Sequence, residues 1–94
     1  MAWIKTVKLS EADAKLLDAM QEARKPYPLE YATPVFPTQD DAPSAIVASH
    51  TLIPEALRHA FSTFGALMSP GLPLQRRQHE MIATMVSVTN RCWY

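Results

Sequence analysis

The chain has 94 residues, 48% of them hydrophobic and 19% charged, and its nine basic and nine acidic residues cancel. This length suits one small domain, and the composition is neither that of a disordered chain nor that of a membrane-embedded one. The zero net charge offers no electrostatic attraction to nucleic acid or to an anionic membrane surface, so neither is expected as a partner.

The N-terminus and the cysteine usage indicate a cytoplasmic protein. The opening residues lack the long apolar core and the cleavage site of a signal peptide, and no apolar stretch is long enough to span a bilayer. The single cysteine, Cys92, cannot form an internal disulfide, and the three histidines are dispersed. We therefore expect no disulfide, no metal site and no cofactor.

The first predicted element is a helix that begins at Ser10. The hydroxyl of Ser10 suits a helix cap, and the acids that follow it suit the positive end of the helix dipole. An apolar stripe with helical spacing follows: Leu16, Leu17, Met20 and Ala23. Arg24 and Lys25 complete the last turn, and Pro26 ends the helix.

The segment 26–43 contains five of the eight prolines, interleaved with aromatic residues. Proline removes backbone donors and restricts φ, which disfavours both a helix and a central strand. A flexible linker would be poor in aromatic residues. We therefore predict an ordered, extended segment that lies over the body of the protein.

Three further helices are predicted, at 44–52, 54–68 and 74–89, and together they make the fold all-α. Pro54 suits the first turn of the second of these helices. Its apolar residues are spaced as on one core-facing side: Leu57, Phe61, Phe64 and Met68.

The last of these helices is the most apolar. Its large apolar residues cover more than half of the circumference: Met81, Ile82, Met85, Val86 and Val88. Such a helix requires burial on several sides, which the preceding helices supply only in part. Together with the terminal Trp93 and Tyr94, this pattern predicts that residues 1–94 form a single, incomplete helical domain.

Glu80 is the first candidate for chemistry, because it lies beside the apolar run of this helix. Burial there would favour its protonated form and suit it for proton transfer. Alternatively, Glu80 faces solvent or pairs with Arg76 or Arg77, four and three residues away. The spacing alone favours this alternative.

Cys92 is the second candidate. It follows Thr89 and Asn90, both good helix caps, so it is predicted in the first turn of a further helix, where the dipole favours the reactive thiolate. The alternative is a buried, inert cysteine. On one continuous helix Glu80 and Cys92 would point about 120° apart, so they share a face only if the helix breaks between them.

The pattern of Glu80, eleven intervening residues and Cys92 resembles a known family motif. The segment LQRRQHEMIATMVSVTNRCWY (74–94) is similar to the peroxidase-related branch of the AhpD-like, or carboxymuconolactone decarboxylase, family. SHTLIPEALRHAFSTFGALM (49–68) and the opening MAWIKTV (1–7) resemble the same branch. The family motif is Glu, eleven residues, then Cys-x-x-Cys-x-x-x-His.

This resemblance implies an all-α fold that forms homo-oligomers through its helices. It also implies reduction of a small hydroperoxide by a cysteine pair, at the expense of a thiol reductant. In the family, the glutamate and the histidine form a proton relay that activates the cysteines. Glu80 matches the relay carboxylate, and Cys92 matches the first cysteine.

The chain departs from the motif because its 94 residues contain neither the second cysteine nor the relay histidine. The second cysteine usually attacks the peroxide, so this chain is predicted to be inactive, or nearly so, as a two-cysteine peroxidase. One alternative is a decarboxylase that acts on lactones by acid–base chemistry through Glu80 and a nearby histidine. Another is a non-catalytic module that oligomerises through its last helix.

Overall fold

The computed structural model describes residues 3–33 and 43–92, and this part of the chain is all-helical, without a strand. The all-α prediction is therefore confirmed. The α-helices are α1 (Ala14–Arg24), α2 (Ala45–Ala48), α3 (Pro54–Leu67) and α4 (Arg76–Thr89), and 3-10 helices span Leu9–Glu11 and Leu29–Ala32.

Helix α1 begins later than predicted. Ser10 lies in a 3-10 helix, and the chain is extended at Ala12 and at Asp13 before α1 starts. The Asp13 carboxylate accepts a hydrogen bond from the Leu16 N–H at 2.8 Å, so Asp13 is the N-cap. The prediction of a cap at Ser10 was wrong because the acid three residues later makes the cap. Helix α1 ends at Arg24, one residue earlier than predicted, and Lys25 is its C-cap.

Helix α2 ends at Ala48, earlier than predicted. The buried side-chain hydroxyl of Thr51 makes two hydrogen bonds in the turn that follows it. The Thr51 hydroxyl donates to the Ala48 carbonyl at 2.7 Å and accepts from the Val7 N–H at 2.8 Å. Thr51 is only 2% exposed. It therefore ties the N-terminal segment to the turn that follows α2.

The core lies between α1 and α3, which form the main helix pair. Its buried cluster consists of Leu16, Ala23 and Leu57, against which Val7, Ala12, Met20, Val47 and Phe61 pack. Leu17 and Phe64 lie outside the core although they belong to the predicted stripes. The stripe of residues that α1 and α3 each bury in the core is thus narrower than the apolar stripe predicted from the sequence.

The start of the Pro-rich segment lies directly on α3, at Gly65. A Cβ atom at Gly65 would be 2.6 Å from Pro26 Cγ and 2.9 Å from Tyr27 Cδ1, so only glycine permits this approach. The segment lies over the body as predicted as far as residue 33, but Leu29–Ala32 forms a 3-10 helix instead of the extended conformation that was predicted. Residues 34–42, for which the same prediction was made, lie outside the described part.

Helix α4 begins at Arg76, two residues later than predicted, and the Gln75 N–H donates to the Gln78 side chain at 2.7 Å in its first turn. At its other end, Arg91 adopts the left-handed conformation (φ 51°). The N–H groups of Arg91 and Cys92 donate to the carbonyls of Val88 and Ser87. This pattern is a Schellman motif, which terminates the helix.

Candidate functional site

The Glu80 carboxylate is held by two side chains. The Tyr31 hydroxyl donates to Glu80 Oε1 at 3.0 Å, and Arg76 Nη2 lies 2.9 Å from the same oxygen. The Glu80 side chain remains 48% exposed. The structure therefore shows the alternative in which Glu80 pairs with Arg76, and it does not bury the carboxylate.

Arg76 lies at the centre of this group. Its guanidinium carbon stands 4.5 Å from the centroid of the Tyr31 ring, a cation–π contact. Its Nη1 atom lies 3.9 Å from Glu30 Oε2, so Arg76 also bridges two carboxylates. Nη1 is buried and has no hydrogen-bond partner, so the ring and the charges hold it in place.

Tyr31 reaches α4 because aromatic packing fixes the 3-10 helix Leu29–Ala32 against α3. Its ring stacks on Phe64 with centroids 6.3 Å apart, and it meets the edge of Tyr27 at 6.1 Å. Tyr27 also contacts Phe64, at 5.4 Å. We define Tyr31, Arg76, Glu30 and Glu80 as the Tyr31 cluster.

The environment of Tyr31 favours its protonated, donating form. Partial burial raises the pKa of Tyr31, and the hydrogen bond to Glu80 and the negative charges of Glu80 and Glu30 raise it further, against the opposing effect of Arg76. The pKa of Tyr27 is raised by burial and opposed by Arg24, without a contribution from Glu80. Tyr31 thus remains a hydrogen-bond donor to Glu80 at neutral pH.

Cys92 lies just beyond the C-terminal end of α4 as an exposed free cysteine. The alternative of a buried cysteine is therefore wrong. No further helix follows it in the described residues, and residues 93–94 lie outside them. The negative end of the α4 dipole lies beside Cys92. Helix α4 therefore does not provide the stabilisation of the thiolate that was predicted from a following helix.

The structure does not bring Glu80 and Cys92 together. The predicted break is present, since α4 ends at Thr89 and Asn90 is its C-cap. The nine residues from Glu80 to Thr89 rise by about 14 Å along the helix axis, which is more than the two side chains can bridge. Direct proton transfer between Glu80 and Cys92 is thus excluded in this arrangement.

Helix α4 is oriented with its apolar side outward. Its least exposed residues recur at helical spacing: Arg76, His79, Ala83 and Ser87. Its large apolar residues are 53% to 65% exposed: Met81, Ile82, Met85, Val86 and Val88. These five, which we call the apolar α4 face, span roughly 160° of the helix, somewhat less than half of the circumference, where more than half was predicted.

Sequence reasoning missed two side chains that the structure makes prominent. Tyr31 is separated from Glu80 by 49 positions, so no local pattern signals their contact. His79 is 4% exposed, and its buried Nε2 has no hydrogen-bond partner. Only its place one turn before Ala83, on the inward side of α4, could have indicated its burial.

No protein-family model, curated protein or solved structure matches this chain. Among the described residues, no group of three potential ligands could hold a metal ion, and no helix is long and apolar enough to cross a membrane. The AhpD-like resemblance therefore rests on the residues quoted for it from the sequence.

Proposed function

We propose that this chain belongs to an AhpD-like thiol oxidoreductase, in which Cys92 is a redox-active thiol and Glu80 the carboxylate of a proton relay. Two observations support this proposal. Cys92 is an exposed free thiol just beyond the end of α4, and Glu80, on the same helix, accepts a hydrogen bond from Tyr31. The eleven-residue spacing between them is that of the family motif.

The proposed reaction oxidises the cysteine sulfur and reduces a hydroperoxide. Because Cys92 is the only cysteine in these 94 residues, it takes the place of the attacking second cysteine of the motif. Its thiolate attacks one peroxide oxygen, the O–O bond breaks, and the sulfur becomes a sulfenic acid while the other oxygen takes a proton and leaves as an alcohol. An external thiol then forms a mixed disulfide with Cys92 and releases water. A second thiol molecule regenerates the Cys92 thiol and releases the oxidised reductant as a disulfide.

Rapid turnover requires groups that these 94 residues do not contain. Cys92 is the only cysteine, so no second thiol can resolve the sulfenic acid within the chain. Since Glu80 lies in the first half of α4 and Cys92 lies beyond its C-terminal end, a relay between them needs an intervening proton carrier. In the family this carrier is a histidine beyond the cysteines. We therefore expect the chain by itself to be oxidised once and not to turn over.

The test is to expose the chain to an alkyl hydroperoxide and to follow the sulfenic acid with a trapping reagent and intact mass. We expect one trapped adduct per chain. Cys92→Ser should give none, and Glu80→Gln should leave the rate unchanged because of the separation. The absence of an adduct on Cys92 would refute its redox role, and fast catalytic turnover would refute the predicted inactivity.

The orientation of α4 supports a second candidate function, self-association of the chain as a helical oligomerisation module. The apolar α4 face consists of five large apolar side chains that are each more than half exposed. Such a face favours association, because covering it removes apolar area from water. Since α4 directs its polar side inward, the apolar α4 face is the surface that a second copy would cover. This candidate is compatible with the first, since the resemblance also implies a homo-oligomer.

Sedimentation velocity over a range of concentrations tests this second candidate. We expect the native chain to be oligomeric and Ile82→Glu, which places a charge in the apolar α4 face, to be monomeric with unchanged helicity. Leu29→Glu is the matched control, because Leu29 is 87% exposed but lies outside α4. A folded native chain that remains monomeric at every concentration would rule the module out.

A further inference from the structure

Two side chains, one by a hydrogen bond and one by an ion pair, contact the same oxygen of the Glu80 carboxylate. Tyr31 and Arg76 both contact Oε1, at 3.0 Å and 2.9 Å. Neither of these two contacts involves Oε2. They thus engage one oxygen of the carboxylate and leave the other to different partners.

We infer that Tyr31 and Arg76 are positioning residues that hold Glu80 by Oε1 and so leave Oε2 as the oxygen that exchanges protons. This inference rests on the proposed function, in which Glu80 is the relay carboxylate. Tyr31 and Arg76 themselves act only through Glu80.

Tyr31 and Arg76 are each held by residues outside α4, and a side chain that positions another must itself be held. The ring of Tyr31 is stacked on Phe64 of α3, and Arg76 lies over that ring and beside Glu30. An i,i+4 ion pair on an exposed helix surface is weak and its side chains exchange rotamers. Here the tyrosine adds a second, independently anchored contact, so the Glu80 rotamer is restricted from two elements.

The first test is a pH titration of tyrosine ζ-carbon resonances by NMR in the full 94-residue chain. Glu80→Gln should lower the pKa of Tyr31, because it removes the negative charge that the hydroxyl faces. The pKa should remain above the ordinary value of 10.0, since burial is the larger cause of the shift. The pKa of Tyr27 should not change, because Glu80 does not contribute to it.

Glu55→Gln is the matched control for this titration. Glu55 is also an exposed helix glutamate with an arginine partner, Arg58, but it does not contribute to the pKa of Tyr31. A Tyr31 pKa that is identical in the native chain and in Glu80→Gln would overturn the inference. A downward shift in Glu80→Gln alone supports it.

The second test measures positioning directly, through the three-bond couplings that report χ1 of Glu80. Tyr31→Phe keeps the ring stack and removes the donor, so we expect the couplings to move toward rotamer averaging. Tyr27→Phe removes a hydroxyl from the same aromatic group without touching Glu80, and should leave them unchanged. Unchanged couplings in Tyr31→Phe would overturn the role of Tyr31.

Neither measurement involves Cys92 or a hydroperoxide, so the inference and the proposed function fail separately. If the Tyr31 pKa and the Glu80 couplings respond as expected while Cys92 does not react, the positioning stands and only the thiol chemistry is lost. If Cys92 reacts and both NMR responses are missing, the positioning roles are refuted and the thiol proposal remains.

Discussion

At the scale of single residues, Gly65 decides how closely the start of the Pro-rich segment approaches α3. Any added Cβ would overlap the ring of Pro26 and the edge of Tyr27, neither of which is the free end of a flexible chain. We expect Gly65→Ala to destabilise the fold by about 1–3 kcal/mol, more than the gain in helix propensity offsets. Urea denaturation monitored by circular dichroism measures this change.

Gly71→Ala is the matched control, since a Cβ there would meet only the Ser69 hydroxyl, at 3.6 Å. We expect its free energy of unfolding to stay close to that of the native chain. If Gly65→Ala is as stable as Gly71→Ala, the contact of Pro26 and Tyr27 with α3 is absent in solution.

Thr51 is a second residue whose role is local and measurable. Thr51→Val keeps the shape but leaves the Val7 N–H without its partner, while the Ala48 carbonyl keeps its bond from the backbone N–H of residue 51. Because an unsatisfied buried group costs about 1–3 kcal/mol, we expect a loss of that order in the free energy of unfolding. Thr51→Ser, which retains the hydroxyl, should lose less, and equal losses in the two variants would contradict this role.

At the scale of the elements, the start of α1 depends on one side chain. The Asp13 carboxylate caps α1 through the Leu16 N–H, and Ser10 does not. Asp13→Ala should therefore cost about 1 kcal/mol, in the range measured for N-caps. Asp13→Asn, which retains a capping oxygen, should lose less, and equal losses in the two variants would contradict the cap at Asp13.

The elements also differ in how well the sequence predicts them. The end of α1 before Pro26 and the start of α3 at Pro54 follow from proline itself, which acts on its immediate neighbours. The short α2 was predicted too long, because the hydroxyl of Thr51 diverts the hydrogen bonding of the turn. Helix α4 was predicted almost in full, but its orientation was not.

At the scale of the whole molecule, Tyr27 and Tyr31 make the free energy of unfolding decrease at alkaline pH. The pKa values of Tyr27 and Tyr31 are raised in the folded state, so folding favours their protonated forms. Their contribution is complete below the unfolded-state pKa of about 10 and is lost as pH rises through the folded-state values.

We therefore expect the free energy of unfolding to fall above about pH 10 more steeply in the native chain than in the double variant Tyr27→Phe, Tyr31→Phe. The lysines titrate in the same range, but they are common to both proteins and cancel in the comparison. Parallel pH profiles would show that neither tyrosine is perturbed by folding.

The candidate site was predictable only where its contacts are local. The pairing of Arg76 with Glu80 follows from their i,i+4 spacing, and the break after Thr89 follows from capping preferences. The contact of Tyr31 with Glu80 has no such signal. It exists because Phe64 and Tyr27 place the 3-10 helix Leu29–Ala32 beside α4.

The sequence alone thus determined the all-α class, most helix ends and the presence of a wide apolar face on α4, because each depends on neighbours within a few residues. The tertiary structure decided which side of α4 faces inward, how Glu80 is held and that Cys92 is exposed. A hydrophobic pattern specifies that a face is apolar, but packing against other elements decides what covers it. In this protein α4 packs through Arg76, His79, Ala83 and Ser87, and its apolar face remains open.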